Sequence, residues 1–208
     1  MNIGRQTSPY RRHPDDWYVE PPGVIEALLE VESPFIGRVM DPCCGRGTIP
    51  LTYADTPRHT AKMVTSDIVK RWDDVLELAP YATSLPRWRP DSVITNPPFR
   101  EAQAFIECAL ENTTDRVCVL LPLNFLGSEK RYLFFKTRPL ARIWHLVPRI
   151  SMLPGDMPPR GSGMTEYAWF VFQHAHTGSC IFQHLPHKRG AQARRETSPL
   201  FEETHHDT

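Results

Sequence analysis

Runs of apolar, β-branched residues recur along this chain, and a segment of helical character separates most of them. Residues 36–42 (IGRVMDP), 61–68 (AKMVTSDI), 92–96 (SVITN) and 116–126 (RVCVLLPLNFL) read as strands. Residues 142–150 (RIWHLVPRI) and 166–174 (EYAWFVFQH) read as the last strands, with 179–185 (SCIFQHL) joining them. Residues 21–31 carry Val24, Ile25, Leu28, Leu29 and Val31 at helical spacing behind two entry prolines. Residues 101–113 place Ala102, Phe105, Ile106, Ala109 and Leu110 on one helical face, and helices are expected over 69–78 and 128–138 as well. Strands alternating with helices imply βαβ units, because strands joined in parallel need crossovers that cover both sheet faces. The expected fold class is therefore α/β, Rossmann-like, with a mostly parallel central sheet and helices on both faces.

A chain of 208 residues can bury one sizeable core. The expected organisation is a flexible polar arm over 1–14, one domain over 15–185 and a disordered tail over 186–208. The Pro-, Gly- and Met-rich stretch 151–165 (SMLPGDMPPRGSGMT) reads as a mobile loop. Five cysteines without a CxxC pair point to a reduced, cytoplasmic protein with no disulfide framework. The late histidines, His174, His176, His184, His187, His205 and His206, have no carboxylate set beside them, so no metal is expected. No apolar run approaches the ~20 residues of a membrane span, and no membrane partner is expected. The net charge is zero but unevenly spread. Lys130, Arg131, Lys136, Arg138, Arg142, Arg149 and Arg160 crowd residues 127–160, which suits either a phosphate backbone or a solvated helix face.

In a doubly wound sheet, ligands bind at the carboxyl ends of the strands. The first such end here is Asp41-Pro42-Cys43-Cys44-Gly45-Arg46-Gly47-Thr48, a glycine turn that lets backbone approach a ligand. The third glycine of a dinucleotide fingerprint would fall at Pro50, and no Gly-Lys-Ser/Thr follows, which leaves a one-nucleoside cofactor without a pyrophosphate. Asp67 closes the next strand, where a carboxylate can accept from ribose hydroxyls or cap a helix.

The following strand ends at Asn96-Pro97-Pro98-Phe99. Two prolines fix φ and donate no N–H, so carbonyls are presented in set directions. Asn96 adds an oxygen on a short stem, and Phe99 adds a flat face for a planar partner. Two aimed acceptors suit a substrate amine with two N–H bonds. The exocyclic amine of adenine is a poor nucleophile because its lone pair is delocalised into the ring. Acceptors on both N–H groups localise that pair and stabilise the charge that develops on nitrogen. Taken alone, an Asn-Pro sequence equally marks a plain turn.

Together these segments resemble the S-adenosylmethionine-dependent amino-methyltransferases, in particular the N6-adenine DNA methyltransferases, from about residue 17 to 172. DPCCGRGTI resembles their cofactor glycine motif, SDI their ribose motif, NPPF their catalytic motif, and DWYVEPPGVIEALLE their flanking N-terminal motif. The resemblance implies S-adenosylmethionine as cofactor and adenine N6 in DNA as target, in a small form like those of phages and mobile elements. It places Asp41, Tyr18 and Pro21 at the methionine end, and Pro42, Cys43, Gly45, Gly47 and Thr48 along the cofactor. Asp67 falls on ribose and Ile68 on the cofactor adenine. Asn96 and the Pro97 carbonyl fall on the target amine, with Pro98 stiffening the loop and Phe99 stacking on the base. The family's further acid near the cofactor adenine has no counterpart; Ser84 and Leu85 lie near its place. RNA adenine methylation, glutamine-amide methylation and an inactive nucleic-acid-binding role are the alternatives.

Overall fold

The alternation of strand and helix is carried into a doubly wound sheet. The computed structural model describes residues 16–155, 157 and 163–188. In chain order they form β1 (Tyr18–Val19), α1 (Pro22–Val31), β2 (Arg38–Asp41), α2 (Thr48–Ala54), β3 (Lys62–Asp67) and β4 (Glu77–Leu78). Next come α3 (Tyr81–Trp88), β5 (Ser92–Thr95), α4 (Ala102–Asn112), β6 (Arg116–Pro122), a short 3-10 helix (Leu123–Leu126) and α5 (Glu129–Thr137). The order closes with β7 (Leu140–Val147), β8 (Leu153–Pro154), β9 (Tyr167–Gln173) and β10 (Ile181–Pro186).

Eight of these strands make one sheet in the order β10-β7-β9-β6-β5-β2-β3-β4. The pairings are parallel except at β9, which runs against both β6 and β7. The strand order reverses between β2 and β5, which are direct neighbours. β1 and β8 form a separate antiparallel pair, Tyr18 opposite Pro154.

The buried strands are apolar on both faces because helices cover both. α1 and α2 pack Val24, Leu28, Ile49 and Tyr53 against Ile94, Leu120 and Trp169 on one side. α3, α4 and α5 pack Leu85, Phe105, Ile106 and Phe134 against Met40, Val93, Val117 and Phe170 on the other. Ser128 caps α5, its hydroxyl accepting from the Arg131 N–H at 3.3 Å.

At the amino ends of the strands lies a buried charge cluster. Glu32, 2% exposed, accepts from Arg142 at 2.7 and 2.8 Å, from Arg116 at 2.9 Å and from the Trp144 indole at 2.9 Å. Desolvation pushes this carboxyl up, but the donors from Arg142, Trp144 and Arg116 outweigh it and hold it below its usual range.

Three expectations change. The helix expected over 69–78 is absent, and the helix lies instead at α3, entered from Pro80. The reason is tertiary: Asp67 takes the Val69 N–H and the Arg71 guanidinium, and Thr65 takes the Leu76 N–H. The 151–165 stretch is not wholly loop, because Leu153–Pro154 pairs with β1. Residues 179–185 do join the last strands, as the outer strand β10, parallel to β7. The basic region is partly neutralised: Arg142 is buried on Glu32, Arg149 pairs with Glu166 at 2.8 Å and Arg138 with Glu107 at 3.4 Å. Arg160, the 1–14 arm and the tail beyond 188 lie outside the described residues. His187, by contrast, is tied back to β7, its N–H donating to Val147 at 3.0 Å. Among the described residues no helix is long and apolar enough to cross a membrane.

Candidate active site

β2, β3 and β5 end side by side at the switch point, and a cleft of about 380 Å³ opens over them. That is within the range of small-molecule sites, roughly 300–1,000 Å³. The turn after β2 is held tightly. The Cys44 N–H donates to Ser66 at 3.0 Å and the Gly47 N–H to Cys44 at 2.8 Å. Gly45 and Gly47 have φ of 52° and 82°, values that side chains rarely adopt. A Cβ at position 47 would stand 2.5 Å from the Trp72 ring, and one at position 45 would stand 3.0 Å from the Trp17 indole.

Asp67 braces this turn from the end of β3. Its Oδ2 accepts from the Gly45 N–H at 2.8 Å, and its Oδ1 from Val69 at 3.0 Å and Arg71 at 3.1 Å. A carboxylate has about four acceptor positions, so capacity remains for a further hydroxyl. The Arg71 guanidinium in turn lies 4.5 Å from the Trp17 ring, which closes this side of the cleft.

Asn96, the first residue after β5, is set from across the cleft. Its Nδ2 donates to the Tyr18 carbonyl at 2.8 Å and to the Glu20 carboxyl at 2.9 Å. Both N–H bonds are thereby used, and Oδ1 has no hydrogen-bond partner among the described residues. Phe99 does not present an open face. Tyr18 stacks on it at 5.6 Å and 10°, and Tyr167 approaches at 6.0 Å and 43°.

The site is rich in buried carboxyls. Asp41, fully buried, accepts from the Thr95 hydroxyl at 2.7 Å and the Cys43 N–H at 3.2 Å, while its Oδ2 has no partner among the described residues. Burial pushes Asp41 well above the usual carboxylate range, and the charges of Glu20 and Asp67 push it further. Burial raises Glu20 as well, although the Asn96 hydrogen bond opposes the shift. The same burial, with Asp41 and Asp67 nearby, drives the Cys43 and Cys44 thiols up. Cys44 is buried and Cys43 half-buried in the turn, and with thiols raised in this way neither has a thiolate to offer as nucleophile. Among the described residues no group of three or more His, Cys, Asp or Glu is placed to hold a metal.

No protein-family model matches the sequence, and no curated protein sequence matches it. Solved structures do align. One is the type I restriction-modification methyltransferase subunit from Streptococcus thermophilus, with TM-score 0.56 and 13% identity over 81% of this chain and 47% of that one. This chain thus spans about half the length of that subunit. Another is the 23S rRNA methyltransferase ErmE, with TM-score 0.53 and 15% identity over 77% and 70%. A third is a SAM-dependent O-methyltransferase from Thermotoga maritima, with TM-score 0.52 and 14% identity over 78% and 69%. The fold is that of the methyltransferases.

Within this methyltransferase fold, the sequence-derived residues fall into two sets. Tyr18, Pro42, Cys43, Gly45, Thr48, Asp67, Ile68, Asn96 and Pro98 line the cleft. Asp41, Gly47, Pro97 and Phe99 are not part of that lining, and Pro21 is the N-cap of α1. Ser84 and Leu85, near the place of the family's further acid, are fully buried, and Ser84 bonds Ser66 at 2.9 Å. Pro80 and Tyr81 reach the cleft there instead, with Tyr81 donating to Glu101 at 3.0 Å. Trp17, Glu20, Arg71, Arg100 and Glu101 line the cleft without having been singled out for it. Trp17 and Glu20 flank Tyr18 in the quoted N-terminal motif, so that motif carried a signal. Arg100, Glu101 and Arg71 carried none.

Proposed function

We propose that this protein transfers a methyl group from S-adenosylmethionine to the exocyclic N6 of adenine in nucleic acid, with DNA as the substrate. The carrying observation is the Asn96 amide: both of its N–H groups are consumed behind it, and its acceptor oxygen is buried without a partner among the described residues, in a side chain that lines the cleft.

The residues present suit the cofactor. Burial raises the Glu20 and Asp41 carboxyls, and a cationic sulfonium and an α-ammonium group bound beside them would favour their ionised forms. The Gly45–Gly47 turn allows close approach, Asp67 retains acceptor capacity for ribose, and Ile68, 60% exposed, offers an apolar face to an adenine ring. Tyr18 and Pro21 are assigned to the methionine end. S-Adenosylmethionine, when bound, supplies an electrophilic methyl on a positively charged sulfur.

The chain's own residues handle the amine. Asn96 Oδ1 and the Pro97 carbonyl accept its two N–H bonds, localise the nitrogen lone pair and stabilise positive charge as it develops. A neutral amide suits this role, since no strong base is needed before the nitrogen is alkylated. A duplex base reaches this depth only by leaving the stack. The Tyr18 ring occupies the place on Phe99 that a base would take, so base entry requires Tyr18 to move aside.

The test is incubation with methyl-labelled S-adenosylmethionine and duplex DNA, RNA or protein, followed by digestion and product identification. N6-methyladenine in DNA is expected, and label confined to RNA or protein would overturn the substrate assignment. Asn96→Ala is expected to lower transfer at least ~100-fold, the cost of losing one such stabilising group, while cofactor affinity stays within a few-fold.

A further inference from the structure

The structure assigns to Glu20 a role as the positioning residue for Asn96: its carboxyl holds the Asn96 amide in the one orientation that turns Oδ1 toward a substrate amine. This inference rests on the adenine-amine reading above. Glu20 leaves β1 just before α1 and is only 6% exposed. It reaches Asn96 Nδ2 at 2.9 Å, and the Tyr18 carbonyl reaches the same nitrogen at 2.8 Å.

An asparagine amide has two nearly isosteric orientations. With one acceptor behind it, half of its NH2 group would still lack a partner. With two, the flipped orientation would place Oδ1 against a carbonyl and a carboxyl oxygen, acceptor on acceptor. It would also aim NH2 at a substrate NH2, donor on donor. Glu20 therefore removes the unproductive state. It has a second effect, since an amide that donates to a carboxyl oxygen is polarised and its own oxygen becomes a better acceptor. Glu20 does not itself touch the substrate amine in this scheme; it acts through Asn96.

Two variants separate position from charge. Glu20→Ala removes the acceptor; Glu20→Gln keeps a carbonyl oxygen that can accept from Nδ2. For methyl transfer we expect Glu20→Ala to lower kcat ~100-fold with KM for S-adenosylmethionine changed less than about threefold. Glu20→Gln should recover to within about tenfold of the native rate. If Glu20→Ala keeps its kcat and raises KM for the cofactor, Glu20 is a cofactor contact and the assignment falls. If Glu20→Gln is as slow as Glu20→Ala, charge rather than positioning is responsible, and the assignment also falls.

A second readout does not depend on turnover. In protein labelled with 15N-asparagine, both side-chain amide protons of Asn96 should exchange slowly in the native protein and in Glu20→Gln. One of them should exchange at least tenfold faster in Glu20→Ala. This pattern, found in a protein that methylates no adenine, would uphold the contact and refute the functional reading. Adenine methylation with Asn96 exchange indifferent to Glu20 would do the reverse.

Discussion

Asp41 shows at single-residue scale how the cleft trades stability for function. Burial, reinforced by Glu20 and Asp67, lifts its carboxyl well above the ordinary range. Below about pH 3.8, the ordinary aspartate value, folded and unfolded chains both hold the proton. Above it the unfolded chain ionises first, so the folded state loses stability as pH rises toward the elevated folded value. Asp41→Asn keeps an oxygen for Thr95 and Cys43 and removes the ionisation. Its melting temperature should exceed the native one by ~2 °C or more at pH 7–8, with the gain vanishing near pH 3.5. Methyl transfer should fall in the same variant, because it loses a carboxyl that a bound cationic cofactor would draw into its ionised form. The residue types of the site were legible in DPCCGRG, SDI and NPPF. The orientation of Asn96 was not, since its two anchors stand 78 and 76 positions away. The covered face of Phe99 was hidden for the same reason.

Among the elements, the paired glycines and the buried charge cluster set the frame. Gly47→Ala would force a side chain into a left-handed turn 2.5 Å from the Trp72 ring. A loss of about 1–3 kcal/mol is expected, read as a lower urea midpoint together with a change in tryptophan emission. At the opposite, amino ends of the strands, Glu32→Ala would strand Arg116 and Arg142 without their common acceptor. A loss of about 3–5 kcal/mol at pH 7 is expected from chemical denaturation. Because the folded Glu32 carboxyl is held low, its contribution is complete above about pH 4.5, the ordinary glutamate value. It fades as pH falls through the folded value, so variant and native stabilities should converge in acid. The seven longer strands and α1, α4 and α5 were legible in the sequence, whereas the two-residue strands β1, β4 and β8 were not, being too short to show a period. The 69–78 segment was not, because Thr65, on the neighbouring strand, claims the Leu76 N–H that a helix would need. Arg142 looked like surface charge because its partner Glu32 lies 110 positions upstream.

For the whole molecule, zero net charge and paired arginines limit how many phosphates can be met at once. Each neutralised phosphate adds about −0.9 to the slope of log affinity against log salt. With the exposed Lys130 and Lys136 of α5 and the exposed Arg46 and Arg100 of the cleft to meet phosphates, the slope for a duplex should be no steeper than about −4. Fluorescence anisotropy across a salt series measures it. A slope near −7 would mean that the paired arginines abandon their acids on binding.

The position of β9 has a consequence for synthesis. β6 and β7 are made first, yet they never touch, because β9 lies between them. β1, the source of the Tyr18 carbonyl, waits likewise for Pro154. On a translating ribosome, the early strands β2, β3 and β5 can therefore assemble a glycine turn long before the site is whole. A nascent chain emerging only as far as β7 would carry NPPF without the strand that joins β7 to the sheet, so competence arises late, once Gln173 has left the exit tunnel.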